Sequence, residues 1–588
     1  MAVSIETGAA PDPGRHSNRR QPAVRGIGVK QQAEIVHRVV RDLGSIPVGR
    51  LLALPVRLPR ALRAFFASAL DRETAREAIE QSLVSREERF LEIVRDQVFD
   101  NPKSPYLPLF RYVGCELSDL RASVERHGLE VTLSRLAQEG FYLSADEFKG
   151  KCPVVRGQLC LEVSPSFFEP RRPELGLPTE SSGSSNRPVR SLSSLAWLGA
   201  ESPTTALFLA AHRLEEHAHA AVDVILPGGA GMLFLLMVAK AGIAPEKWFC
   251  RAAHAGWAEQ LYQASIARQV IRGARRYGPG FPNAESIDYR DLRPVVRWVG
   301  RRVDQGAPCC IRCVASNAVK IVKTALEMRV SLSSVLFVVS GEPFTDSKRQ
   351  VVESAGAQFT VQYGYTPGAV HVSRGCAQRN ATDDMHVDQT TLAVVDHSRA
   401  VDGDPLGVRP LLFTTLHPAA AMLQINVENG DYAVLERRQC GCALGEAGLD
   451  LHIHHVRSFE KFTCQGMNYA FTDLFDLVEN RLPRRFGGGP GDYQLVEEGR
   501  EGGEVLLVLR VDPGLGSLDH GTVLRELVDG LSASSRNQRF MARIWQEAGI
   551  LTVRRESPKI SERGKVLPLL AASRLDRSDP RAALVSEP

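Results

Sequence analysis

The chain has 588 residues, of which 44% are hydrophobic and 24% charged, and its net charge is +4. That length is too great for one compact core and predicts several domains of ~100–200 residues each. The composition is that of a globular protein, and so small a net charge on so long a chain gives no ground for a nucleic-acid partner. No secretory apolar region follows Met1, and the most apolar run, around Met232–Ala239, is far shorter than the ~20 residues of a membrane span. A cytoplasmic protein with no membrane partner is expected. The 11 cysteines, odd in number and scattered, fit reduced thiols or metal ligands better than a disulfide scaffold.

Residues 1–30 read as a disordered basic tail. The segment RHSNRRQPAVR is rich in arginine but lacks the amphipathic run of the alternative, a transit peptide. Residues 31–90 read as a helical extension. In RETAREAIEQSLVSREERFLEIVRDQVF, apolar residues recur at three- and four-residue spacings among charges, which predicts a surface helix or a helical pair. The stretch RRPELGLPTESSGSSNRPVR (171–190) has a Ser- and Gly-rich centre that cannot build a core. It is a solvated linker or a binding loop, since small residues let backbone N–H groups approach a phosphate.

Strands and helices then alternate. AAVDVILPGG, PCCIRCVAS, SVLFVVSG and QFTVQYG read as strands, and MLFLLMVAKAG, NAVKIVKTALEM and FTDSKRQVVESAG as helices. This alternation predicts an α/β domain with a largely parallel sheet. Ligands bind at the carboxyl ends of such strands, where Ser340–Pro343 (SGEP) and Gln362–Thr366 (QYGYT) fall. Cys309, Cys310 and Cys313 lie in an apolar strand and read as core thiols, and GGAG at Gly228–Gly231 reads as a turn. The composition breaks at LPRRFGGGPGD (482–492). Beyond it, YQLVEEGREGGEVLLVLRVD predicts a hairpin and TVLRELVDGLSASSRNQRFMARIWQEAG a helical stretch, together a small α+β domain.

In chain order, the segments SSGSSNRPVR, VVSGEPFT, VQYGYT, INVENGD, VRSFEKFTCQGMNYA and ISERGKVLPL match a family pattern. They are similar to the phosphate loop, the adenine-lining segment, the aromatic–Gly–x–Thr segment, the ribose-binding aspartate, the arginine-plus-hinge segment and the catalytic-lysine segment of adenylate-forming enzymes. The sequence resembles the adenylate-forming (ANL) superfamily. Its short C-terminal domain and the C-G-C before the hinge resemble the phenylacetate–CoA ligase-like branch.

The resemblance implies an α/β fold with a large N-terminal adenylation domain at 91–459 that carries the helical extension. A hinge at Phe459–Lys461 would lead to a small mobile α+β lid domain at 460–573, followed by a disordered tail at 574–588. It implies ATP-dependent activation of a carboxylic acid, aromatic or otherwise apolar, as an acyl-adenylate. Transfer to a thiol such as CoA would follow, in specialised metabolism. Lys565 would be the catalytic residue. Ser181, Ser182, Gly183, Ser184, Ser185 and Arg187 would cradle the phosphates. Gly341, Glu342 and Pro343 would line the adenine site, and Tyr363 would stack on the base. Gly364, Tyr365 and Thr366 would continue toward the phosphates, and Asp431 and Arg457 would face the ribose. The cofactors implied are ATP and Mg2+, with Glu342 as a metal contact, and CoA as co-substrate. The partners implied are the acid, ATP and a CoA or carrier-protein thiol, and a homodimer is compatible with this reading. Cys376, His386, Cys440 and Cys442 resemble a structural zinc set, with His371 a competitor to His386.

The sequence also departs from the family pattern. Pro367 stands where a Mg2+-holding glutamate is usual, leaving Glu342, Asp383 or Asp384 as substitutes. Asn186 and Val456 replace glycines. Two other outcomes therefore stay open: adenylation with transfer to a carrier protein or an amine, and a degenerate, non-catalytic nucleotide-binding homologue.

Overall fold

A computed structural model describes residues 48–68, 70–174, 176–180, 190–223, 229–251, 257–365, 369–398, 409–458, 462–464, 467–469, 471–499, 505–532, 542, 546, 550–561 and 564–570. Both expected tails, Ser181, Ser182, Gly183, Ser184, Ser185, Arg187, Thr366, Pro367 and the hinge Phe459–Lys461 lie outside them, as do the side chains of Tyr365 and His371.

The N-terminal part is helical: α1 (Val48–Phe65), α2 (Arg72–Val84) and α3 (Arg86–Val94). The charged repeat around residue 80 is the expected pair, α2 and α3, which meet at Ser85. Asp71 caps α2 by accepting from the Thr74 N–H at 2.9 Å. These helices are tied to the body. Arg86 Nε donates to Gln389 O at 3.0 Å, and Arg89 donates to the carbonyls of Leu416 (2.6 Å) and Thr390 (2.7 Å).

The body is built on α4 (Leu195–Ala211), β1 (Ala218–Val222), α5 (Ala230–Lys240), β2 (Lys247–Cys250), α6 (Trp257–Tyr277), β3 (Ala284–Ser286), β4 (Cys309–Val314), α7 (Ala315–Glu327), β5 (Val335–Ser340), α8 (Asp346–Ser354) and β6 (Gln358–Tyr365). Then come β7 (Ala369–Gly375), β8 (Met385–Val387), β9 (Leu392–Asp396), β10 (Pro410–Thr415), β11 (Val427–Arg437) and β12 (Leu451–Ser458). These form one 12-stranded sheet in the order β9-β10-β11-β12-β8-β7-β6-β5-β4-β1-β2-β3. The half from β3 to β6 is parallel, as alternation predicts. The half from β7 to β9 is antiparallel, which corrects the expectation of a largely parallel sheet. The reason is local: β7 to β12 follow one another without crossover helices, and strands joined that way pair antiparallel.

Strands β4 and β5 are buried along their whole length because helices cover both faces, which is why they read as unbroken apolar runs. Side chains alternate between two cores. Ile311, Cys313, Phe337 and Val339 enter the first, while Cys310, Leu336 and Val338 enter the second, under α4 and α5. Helix α1 packs on α6 in the second core. A Cβ on Gly273 would lie 2.5 Å from Leu62 Cδ1, so the helices approach this closely only because residue 273 is glycine. Cys309, Cys310 and Cys313 are buried core thiols, as read.

The C-terminal unit is β13 (Tyr493–Gly499), β14 (Val505–Val511), α9 (His520–Leu531), β15 (Leu551–Arg554) and β16 (Leu569–Leu570). Its sheet order is β15-β14-β13-β16, with the β13–β14 hairpin antiparallel. A core of its own, including Leu495, Leu507, Leu509 and Leu527, makes it the α+β unit expected.

Candidate active site

The carboxyl end of β5 turns at Gly341, whose φ of +79° favours glycine. Against this turn lies a loop of the C-terminal unit. Lys565 Nζ donates to Gly341 O at 2.6 Å. A Cβ on Gly341 would stand 3.5 Å from Lys565 Cε and Nζ, an ordinary contact, so glycine is required here by its φ and not by the lysine. The loop is shaped from within by Lys565 N–H donating to Ser561 Oγ (3.0 Å) and Ser561 N–H donating to Lys565 O (2.8 Å).

The seat for this loop is one stripe of α7. Ser316 Oγ accepts from Val566 N–H at 3.1 Å and donates to Glu342 Oε2 at 2.5 Å. Lys320 Nζ reaches Gly564 O at 3.4 Å. Lys323 meets Asp492 at 2.6 Å. Spacings of three and four put all three on one helical face. Burial lowers the Lys320 pKa to about 8. A second tie runs through Lys348, 2.8 Å from Glu479 and 3.7 Å from Glu342, all three side chains 2% exposed. Thr345 Oγ1 also donates to Glu479, at 2.7 Å.

Lys565, Gly341 and Glu342 are thus brought together, as the sequence predicts, and Pro343 follows directly, its carbonyl accepting from Lys348 at 3.0 Å. Tyr363 and Gly364 end β6, the neighbour of β5. Tyr363 Oη donates to Asp431 Oδ2 at 2.6 Å, and Asn429 Nδ2 reaches the same oxygen at 2.9 Å. Asp431 pairs with Ser458 across β11 and β12, which sets it beside Arg457. Arg457 itself is engaged with Asp383 at 3.3 Å. Asp383 also accepts from the N–H groups of His455 and Val456. Asp384 accepts from Asn380 N–H and Arg438 and pairs with His452. Both aspartates are engaged by these partners.

A second constellation lies where β7, β8 and β12 meet. Cys376 follows β7, His386 is in β8, Cys440 and Cys442 lie between β11 and β12, and His452 is in β12. His386 Nε2 is 3.1 Å from Cys442 Sγ and 3.5 Å from Cys440 Sγ, and the other ring nitrogen bonds Leu449 O at 2.7 Å. That bond makes Nδ1 the donor to Leu449 O and turns Nε2 toward the sulfurs. The ligand atoms of Cys376, His386, Cys440 and His452 all lie within 4.8 Å of one another. A hydrogen bond from Cys376 and another from His386 hold the Cys442 thiol far below its ordinary range. Against burial, which acts the other way, bonds with Cys440 and Cys442 raise His386 to about 9. The four residues predicted as a set do converge, and the structure adds His452. Its Nδ1 is 2.7 Å from Asp384 Oδ1, while its Nε2 is buried without a partner. The only signal in the sequence was the histidine-rich run HIHH at 452–455.

No family model matches the sequence, and no curated protein matches it. Among solved structures, 2-hydroxyisobutyryl-CoA ligase in the postadenylation state, in complex with 2-HIB-AMP, aligns with a TM-score of 0.50 at 15% identity, covering 84% of this chain and 90% of that one. The fold is that of the adenylate-forming enzymes. Two further adenylate-forming structures align over less of the chain. Anthranilate CoA ligase in complex with anthranoyl-AMP has a TM-score of 0.40 at 11% identity, over 66% of this chain and 65% of that one. O-succinylbenzoate coenzyme A synthetase from Bacillus subtilis, in complex with ATP and magnesium ion, has 0.37 at 10%, over 66% and 68%. Among the described residues, no helix of this adenylate-forming fold is long and apolar enough to cross a membrane.

Proposed function

We propose that this chain activates a carboxylic acid with ATP, forming an acyl-adenylate and pyrophosphate, and then passes the acyl group to a thiol such as CoA. The observation that carries this reading is the 2.6 Å bond from Lys565 Nζ to Gly341 O, which seats a lysine of the C-terminal unit at the carboxyl end of the parallel sheet. Attack of a carboxylate oxygen on the α-phosphorus builds negative charge on the phosphate oxygens, and a positioned ammonium stabilises it. Lys565 would exchange the Gly341 carbonyl for those oxygens. Asp431, oriented by Tyr363 and Asn429, would accept hydrogen bonds from the ribose hydroxyls. The Tyr363 hydroxyl is held by Asp431, and its ring would stack on the adenine. Pro343 and Gly364 would border the nucleotide.

Glu342 suits a magnesium contact, because its Oε1 is buried without a hydrogen-bond partner. The ion would neutralise phosphate charge. Transfer to the thiol would follow undocking of the C-terminal unit, which withdraws Lys565. The departures at Asn186, Val456 and Pro367 favour a specialised role.

The test is ATP–pyrophosphate exchange by the purified protein with Mg2+ across a panel of carboxylic acids. Exchange dependent on an acid supports the reading, and nucleotide binding without exchange for any acid overturns it.

A second reading concerns the cysteine–histidine cluster, which we infer to be a structural zinc site. The donors are of the type zinc prefers, they converge, and His452 presents an orphaned nitrogen backed by a carboxylate. Three thiols with one imidazole would complete a closed tetrahedral set, and His452 would be the alternative imidazole.

A further inference from the structure

Across the carboxyl ends of four adjacent parallel strands, one face of the sheet is polar where a core should be apolar. Asp223 follows β1, Arg312 lies in β4, Ser340 ends β5, and Gln362 lies near the end of β6. Ser340 is opposite both Val314 and Gln362, and Arg312 is opposite Ala221. Side chains alternate along a strand. Ala221, Cys310 and Val338 face the core under α4 and α5, so Asp223, Arg312 and Ser340, each two positions on, face the same side, and Gln362 joins them as the partner of Ser340 across β5 and β6. All are buried, at 5%, 4%, 7% and 2% exposure in that order.

Part of this belt is satisfied internally. Arg312 donates through Nη1 to Asp223 and through Nη2 to Ser340 Oγ at 3.0 Å. Two atoms are not. Arg312 Nε and Gln362 Oε1 are buried with no hydrogen-bond partner. A buried donor and a buried acceptor left unpaired cost stability, and such exceptions in a folded protein call for a ligand or a water. They lie on strands that flank β5, whose last residue, Ser340, directly precedes the Gly341 carbonyl that holds Lys565.

We propose that this belt receives the acyl end of the substrate, and that the acid bears a hydroxyl group. A hydroxyl is a small substituent that can accept from an N–H such as Arg312 Nε or donate to a carbonyl such as Gln362 Oε1. The inference rests on the adenylation reading and narrows it from an apolar acid to a hydroxylated one. Asp223 and Ser340 act as positioning residues that hold the Arg312 guanidinium in place.

The experiment compares matched acids in pyrophosphate exchange: 2-, 3- and 4-hydroxybenzoate against benzoate, and hydroxyalkanoates against alkanoates of the same length. A site built to bond a hydroxyl rejects the analogue that lacks it, so one hydroxylated acid should exceed its deoxy partner in kcat/KM by roughly 10²-fold. Gln362→Leu should bring the two toward parity, and Gln362→Glu, which keeps an acceptor, should retain the preference. Equal or better exchange with the deoxy acids in the wild-type protein overturns the proposal and leaves the two atoms to a buried water. That comparison decides the matter even where Gln362→Leu fails to fold. Absence of exchange with every acid sinks the adenylation reading itself, a distinguishable result.

Discussion

The ammonium of Lys323 lies 2.6 and 2.8 Å from the two carboxylate oxygens of Asp492, joining helix α7 of the body to the turn that opens the C-terminal unit. With Ser316 and Lys320 on the same face, this pair makes docking of that unit a polar event. Charge reversal is the direct probe. Lys323→Glu should lower pyrophosphate exchange several-fold while shifting Tm little, because a part-exposed ion pair contributes only ~0.2–1 kcal/mol to stability. Adding Asp492→Lys to that variant should restore exchange.

Removing the Lys565 ammonium should separate binding from chemistry. Lys565→Ala is expected to lose exchange by about 10²-fold or more, the scale on which a positioned charge acts in a transition state. Nucleotide affinity should stay within a few-fold, since Asp431 and its partners are untouched. Calorimetric titration with ATP beside the exchange assay checks both halves, and wild-type turnover in the variant would remove Lys565 from the mechanism.

The cysteine–histidine cluster should yield about one zinc per chain on elemental analysis of protein purified without chelator. Cys440→Ser combined with Cys442→Ser should release it and lower Tm, because a structural metal contributes to folding free energy. A metal-free wild-type protein would leave the cluster as a hydrogen-bonded thiol–imidazole network only.

Acid stability should carry the mark of His219. It is fully buried, its Nε2 is 2.8 Å from Leu214 O, and burial lowers its pKa from 6.5 to about 4. Between those values the unfolded chain binds a proton that the folded chain excludes, so stability rises with pH across this window and is lost as pH falls from 6.5 toward 4. The loss is on the order of 3 kcal/mol. Denaturant unfolding between pH 4 and 7 should show this slope, and His219→Gln should flatten it.

Much of this architecture was legible in the sequence because it depends on local pattern. VLFVVS is apolar and rich in β-branched residues, and it is a fully buried strand. VVSGEPFT and GKVLPL, more than two hundred residues apart, meet through Lys565 and Gly341. What stayed hidden depends on register and on partners distant in sequence. Arg312 is a single charge within CCIRCV, and nothing local says that Asp223 and Ser340 hold it. Glu479 sits in an ordinary charged helix until Lys348 is found 2.8 Å away. His452 is one of three histidines in four residues, and only the β8–β12 pairing distinguishes it, setting it opposite His386. The antiparallel half of the sheet is hard to read because its strands are partly polar and no crossover helices alternate with them.

The cysteines at 440 and 442 close the connection between β11 and β12, and Asp431 and Ser458 pair at the other end of that ladder, ~20 Å away at ~3.3 Å per residue. The ladder is irregular between Tyr432 and Val434, a place where pairing could slip. A slip of one residue would turn Asp431 to the opposite face of the sheet. The zinc proposed for the closed end would act as a register lock. Oxidation of those thiols would reach the nucleotide as a misaligned carboxylate, without any contact between sulfur and substrate.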